Sequence, residues 1–267
     1  MEYSWDNGSY EIKPFLHEVI GKVAVLLDGK MVGVYLHGSL AMGGFNPRKS
    51  DIDLIVVTEQ LLPIQTKRAL AHFFLQHSNR PFPIEISSLS VSQLESWKHP
   101  MSYDFHFSEF WRELFEVELK NSTTLYLNDV EKTDGDLAAH FTILNYRGIC
   151  LTGRPIHETF PNVPQKDYIA SILEDYEECL DRIHEFPVYC TLNLIRVYWY
   201  LKEREICSKK EAGAWGQENL PEKFTVLIEQ VAEAYESDRM NAVFMKEDLD
   251  AVRDYLRTEI ELLMKDK

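Results

Sequence analysis

The sequence predicts an α+β fold: a small mixed-sheet domain over residues 1–154, followed by an all-helical domain over residues 155–267. Three observations predict it. In the first half, short alternating or apolar runs of strand length sit between segments with helical spacing. After about Leu137 almost only helical spacing remains. The pattern is interrupted at Gly153-Arg154-Pro155 and again at Pro161 and Pro164, residues that end regular structure and here read as a short linker. A chain of 267 residues is long enough to bury two separate cores.

Taken in order, Ile12, Phe15, Leu16, Val19, Ile20, Val23 and Leu26 recur at helical spacing and predict an amphipathic helix packed on the sheet. Val32, Val34 and Leu36 alternate along a strand that stops at Gly38-Ser39, and Ile52 to Val57 forms a second strand. Pro63 opens a helix running to about Gln76. Phe82 to Ser88 reads as a strand and Val91 to Trp97 as a short helix. The tract Phe105 to Arg112 is expected to open a helix continuing through Phe115, its rings mostly in the core. Asp136 to Leu151 is expected to be one helix closing the first domain. Further helices are expected at about 168–184, 188–203, 222–236 and 247–265, with a turn over 211–215.

Function is concentrated in the run from His37 to Val57. A glycine at position 38 lets the backbone approach a phosphate closely, with amide hydrogens and Ser39 facing it. Asp51 and Asp53 stand two apart at the head of a strand, so both carboxylates point to one face and suit a hard cation such as Mg²⁺. Together, a Gly-Ser turn and Asp-x-Asp read as a nucleotidyl-transfer site. This run resembles the nucleotidyltransferase superfamily. Two-metal transfer needs a further carboxylate on a neighbouring strand, and Glu85, on the polar side of its strand, meets that need as base or ligand. His37 beside the turn reads as packing.

Charge narrows the partner. At a net charge of −15 the chain repels a phosphate backbone, and no basic cluster with interleaved aromatics offers a nucleic-acid groove. An acidic cleft does concentrate a cationic small molecule. There is no long apolar run and no leader pattern, so the expectation is a cytoplasmic protein without membrane association. The sequence does not reveal the oligomeric state, and a monomer is the favoured expectation. Cys150, Cys179, Cys190 and Cys207 lack the spacing of a zinc site or disulfide framework and read as reduced packing residues. Two cations in the helical half stand out. Arg196 lies in an otherwise apolar helix and needs an anion, either a structural carboxylate or a triphosphate; Lys209 is equally ambiguous.

From about Val34 onward the chain resembles the aminoglycoside adenylyltransferases that modify streptomycin and spectinomycin. The match runs through the Gly38 to Asp53 motif, Ile84-Glu85-Ile86, Trp97 to Pro100, Phe107 to Arg112, Asp136 to Ala138, Leu151 to Gly153, Phe160 to Pro164, Leu194 to Arg196 and Ile206 to Trp215. The resemblance implies ATP as co-substrate with Mg²⁺, two ions, and AMP transfer to a hydroxyl of a cationic antibiotic. It implies Gly38 and Ser39 at the phosphates, Asp51 and Asp53 on the metal, Glu85 as base beside them, and Arg196 and Lys209 reaching the triphosphate. Where the family places a drug-contacting tryptophan this chain has Phe110, and the tryptophan and acidic residues of streptomycin-modifying members are not clearly matched around Tyr176 to Phe186, so spectinomycin is favoured over streptomycin. The rival readings are transfer to another hydroxyl, on a lincosamide or a protein, and a catalytically idle binding module.

Overall fold

The computed structural model describes residues 4–7, 11–237 and 242–265. They form two compact units, residues 1–168 and 169–267.

The first unit is built on a mixed five-stranded sheet in the order β5-β3-β2-β1-β7. In chain order its elements are α1 (Ile12–Leu26), β1 (Met31–Leu36), α2 (Gly38–Met42), β2 (Ile52–Thr58), α3 (Ile64–His77), β3 (Ile84–Ser90), α4 (Val91–Leu94), β4 (Met101–Tyr103), β5 (Phe105–Phe107), α5 (Arg112–Asn121), β6 (Lys132–Asp134), α6 (Leu137–Arg147), β7 (Ile149–Gly153) and α7 (Ile156–Thr159). β2 and β3 are parallel, and the other pairs in the sheet are antiparallel. β4 and β6 form a separate two-stranded ribbon.

Period-two alternation sorts the strand residues to the two faces. Val34, Leu36, Ile52, Leu54, Val56, Ile84 and Ile86 pack with α1, α3 and α5 through Leu16, Val19, Leu70, Phe74 and Phe115. Tyr35, Ile55, Val57 and Leu89 point the other way, against Leu137, Phe141 and Leu144 of α6. Asp51, Asp53 and Glu85 share the parity of this second set, so they lie on the α6 face beyond the apolar part of the strands.

Four sequence-based assignments change. Phe105-His106-Phe107 is an edge strand, because both phenylalanines bury on the same side while His106 faces the other; helix begins only with a 3₁₀ turn at Glu109 and then α5. The helix expected to reach Leu151 stops at Arg147, and Ile149–Gly153 joins the sheet as an edge strand beside β1. The turn expected at 211–215 lies inside a helix, Lys209–Asn219. The segment after Pro155 through Pro164, expected to be a linker, packs on the first unit: the Tyr35 hydroxyl lies 3.0 Å from Thr159 Oγ1, and Asn145 Nδ2 donates to Pro161 O at 3.0 Å.

Helix α8 (Gln165–Arg182) runs across the division, and the second unit continues with α9 (Pro187–Glu203), α10 (Lys209–Asn219), α11 (Thr225–Glu236) and α12 (Lys246–Lys265). α9 is buried almost all round, as expected of a helix that is apolar on every side. α10 approaches closely because Gly213 and Gly216 leave no room for more: a Cβ at either would meet Leu192 or Ile195 at 3.1–3.2 Å. Among the described residues no helix is long and apolar enough to cross a membrane.

Candidate active site

The site is organised around the end of β1. Beyond Leu36 the chain cannot continue as strand, because Gly38 turns at φ +65°, a conformation disfavoured for side-chain-bearing residues, and α2 begins at once. His37 remains in the ladder, its N–H donating to Asp53 O at 3.0 Å. The absent Cβ of Gly38 leaves space that the Asp53 carboxylate fills: an ideal Cβ there would lie 1.7 Å from Asp53 Oδ2.

Across β2 and β3 the register places Asp53 directly beside Glu85. Neighbouring strands lie about 4.8 Å apart, so two carboxylates are side by side, with Asp51 two residues before Asp53 on the same face. Glu85 is half-buried and, among the described residues, has no hydrogen-bond or ion-pair partner. Such a carboxylate is available to accept a proton or to join a cation.

Histidines complete the face. His37 is buried and its ring lies 4.8 Å from that of His140 on α6. Burial, and then His140, hold its pKa well below the usual histidine value, so it is neutral at pH 7. Opposite Ser87 on β5, His106 has its Nδ1 2.9 Å from Ser87 Oγ. Burial lowers its pKa too, against the pull of the Glu85 and Asp134 carboxylates. His106, His140 and Asp134 therefore belong to the surroundings of Glu85, and sequence reading assigned them no role. Only the alternation of Phe105-His106-Phe107 carried a usable signal, since it marks a strand that must put His106 on one face.

Arg196 and Lys209 both stand in the second unit. Arg196 is half-exposed, with Nε donating to Cys207 O at 3.1 Å and a terminal nitrogen to Asn193 Oδ1 at 3.3 Å. Asn193 in turn donates to Asp175 Oδ2 at 2.5 Å, and the Tyr189 hydroxyl donates to the same carboxylate at 2.9 Å. Lys209 Nζ sits 4.4 Å over the Tyr189 ring, at the first residue of α10. That helix begins with a reciprocal cap, Ser208 Oγ accepting from Glu211 N while Glu211 accepts from Ser208 N at 2.7 Å. Of the two anions weighed for Arg196, the structural carboxylate is present only indirectly, through Asn193.

Hard carboxylate donors suit Mg²⁺, which is commonly held by one or two carboxylates plus substrate phosphates. Among the described residues no three acidic, histidine or cysteine side chains gather closely enough to hold a metal alone. Asp51 and Asp53 therefore fit a cation whose remaining ligands arrive with a nucleotide.

Gly38→Ala tests the arrangement. The left-handed backbone would cost about 1–2 kcal/mol, and the new methyl must turn the Asp53 carboxylate aside. If the site is read correctly, turnover falls much further than stability does, by roughly a hundredfold for an ångström of misplacement. Thermal melts alongside rate measurements separate the two effects, and a destabilised variant with normal turnover would refute the placement.

Residues 23–119 match the family model for a nucleotidyltransferase domain, and residues 158–259 that for an aminoglycoside adenylyltransferase C-terminal domain. The chain is 26% identical over 262 residues to aminoglycoside (3'') (9) adenylyltransferase of Shigella flexneri, covering 94% of this chain and 95% of that one. It is 25% identical over 245 residues to spectinomycin 9-adenylyltransferase of Staphylococcus aureus, covering 88% and 90%. A crystal structure of a spectinomycin adenyltransferase from Enterococcus faecialis with ATP and spectinomycin superposes with a TM-score of 0.77 at 21% identity, over 93% of this chain and 99% of that one. At that identity the superposition establishes the fold.

Proposed function

Because the chain belongs to the aminoglycoside adenylyltransferase family of the nucleotidyltransferases, we propose that it transfers AMP from MgATP to a hydroxyl of a cationic aminocyclitol, spectinomycin before streptomycin, and releases pyrophosphate. The observation that carries this reading is the register of Asp53 beside Glu85, with the Asp53 carboxylate seated against Gly38.

In this reading Asp51 and Asp53 hold magnesium, which when bound neutralises charge at the α-phosphate. Gly38 and Ser39 leave the start of α2 open to the phosphates. Glu85 accepts the proton of the attacking hydroxyl, and a half-buried carboxylate with no competing donor suits that task. Arg196 and Lys209 bind the triphosphate and stabilise the departing pyrophosphate. Neutral His37 and His106 add no positive charge to a face that must receive a cation.

The direct test is pyrophosphate release with MgATP against a panel of aminocyclitols and aminoglycosides, with products weighed. A gain of one AMP on spectinomycin is the expected result. Gain on a lincosamide or a protein instead, or no release with any acceptor, would replace this reading.

Arg196→Met checks the phosphate role. Losing two hydrogen bonds to neutral acceptors should cost the protein without ATP about 1–2 kcal/mol, well below the roughly 3–5 kcal/mol of breaking a buried ion pair. The stabilisation that ATP confers on the folded state should largely disappear. Melting curves with and without MgATP read both quantities, and an unchanged ATP-induced shift would remove Arg196 from the site.

A further inference from the structure

Cys179 and Cys190 are both buried, and they line one cavity between α8 and α9. Helical spacing brings this about. Asp175, Cys179 and Arg182 recur along one face of α8, and Tyr189, Cys190, Asn193 and Arg196 along the facing side of α9. The cavity, of about 240 Å³, is lined also by Glu178, Arg182, Phe186 and Tyr189. Arg182 stands at this cavity, paired with Glu178 and Glu185 and stacked 4.3 Å from the Phe186 ring. The cavity is large enough for molecules of the size of water or peroxide.

We propose that Cys179 and Cys190 form an oxidisable dithiol, a modification site for small hydroperoxides whose disulfide form loosens the hold on Arg196. Cys190 is the attacking sulfur, because the Cys179 thiol is already engaged, donating to Asp175 Oδ1 at 4.0 Å and accepting from Asn193 Nδ2. The thiolate attacks one oxygen of hydrogen peroxide, the O–O bond breaks, and hydroxide leaves to become water with the proton Cys190 has released. Cys190 is then a sulfenic acid. The Cys179 sulfur attacks the Cys190 sulfur, the S–O bond breaks, and the hydroxyl departs with the Cys179 proton as a second water. Two thiols lose two electrons and the peroxide accepts them.

The link to Arg196 runs through Asn193. Its amide nitrogen lies 3.7 Å from Cys179 Sγ and 2.5 Å from Asp175 Oδ2, while its oxygen accepts from Arg196. Bonding Cys179 to Cys190 draws that sulfur away from Asn193, so the carboxamide that orients Arg196 loses one of its fixed contacts. This consequence rests on the proposed phosphate role of Arg196, whereas the disulfide itself does not.

The test uses the full chain treated with hydrogen peroxide, quenched, and digested without reduction at basic residues. Cleavage after Arg182 separates the two cysteines, so the expected product is a cross-linked peptide pair that reductant releases, with Cys150 and Cys207 still thiols. Calorimetric titration should then show MgATP bound about three- to tenfold more weakly by the oxidised protein, the range expected for one hydrogen-bonded orientation lost, with full recovery on reduction. In Cys179→Ser, peroxide should leave a sulfenic acid on Cys190 that a dimedone probe captures. Oxidation of Cys150, the most exposed of the four, ahead of the pair would overturn the proposal, as would overoxidised Cys190 beside a free Cys179 thiol. A disulfide that leaves MgATP binding unchanged would overturn the coupling to Arg196. If the reduced protein itself fails to bind MgATP, the phosphate reading is what fails, and the cross-link still decides the dithiol.

Discussion

Asp53→Asn is expected to remove nearly all turnover and most Mg²⁺-dependent ATP binding while leaving the fold intact, and Asp51→Asn should do the same to a similar extent. A neutral carboxamide is a poor ligand for a hard cation. Loss of an outer-shell partner alone commonly costs a metal site about 10–100-fold, so removing a direct ligand should cost at least about a hundredfold. The stability result gives the experiment its force. Asp53 lies beside Glu85 in the parallel register, and like charges held so close oppose each other in the metal-free protein. Deleting one relieves that repulsion, so the melting temperature without ligand should change far less than turnover does. A structural aspartate would instead lower it. Turnover measured across a Mg²⁺ titration, with melts in parallel, distinguishes the two, and near-normal turnover in both variants would refute the site.

Much of the candidate site was legible because its residues are local in sequence. Gly38, Ser39, Asp51 and Asp53 fall within 16 residues, and alternation alone puts the two aspartates on one side. Glu85 was legible through the requirement for a carboxylate on a neighbouring strand. What was not legible depends on pairing across distance. His106 reaches this face because β5 runs antiparallel to β3 and sets it opposite Ser87, and His140 because α6 packs on the parity class of Tyr35 and Ile55. Neither partner is marked in the local pattern. Ile149–Gly153 was read as helix because its apolar residues extend the spacing of α6, yet β1 offers an open edge that such a segment satisfies better. Arg196 stood out by its apolar helix, but Asn193, which accepts from it, and Asp175, which holds Asn193, are ordinary polar residues until the two helices are laid side by side.

Glu85→Gln should separate the base from the metal ligands. The side chain keeps its length and loses only the capacity to take a proton, so ATP should bind nearly as before while the chemical step slows by about 10²–10⁴-fold, the usual worth of general acid–base catalysis. Single-turnover rates and ATP titrations on the same variant give the two numbers separately. Glu85 is a neighbour of Asp53 and, among the described residues, does not complete a three-ligand cluster with the aspartates. A base needs that arrangement, close enough to feel the cation yet uncommitted to it. If Glu85→Gln instead lost ATP affinity as severely as Asp53→Asn, Glu85 would belong to the metal shell, and the proton would have to leave by another group. His106 would then be the nearest candidate, since its burial already keeps it neutral and able to accept. Glu85→Gln combined with His106→Gln would settle that: a double variant no slower than Glu85→Gln alone leaves the proton with the carboxylate.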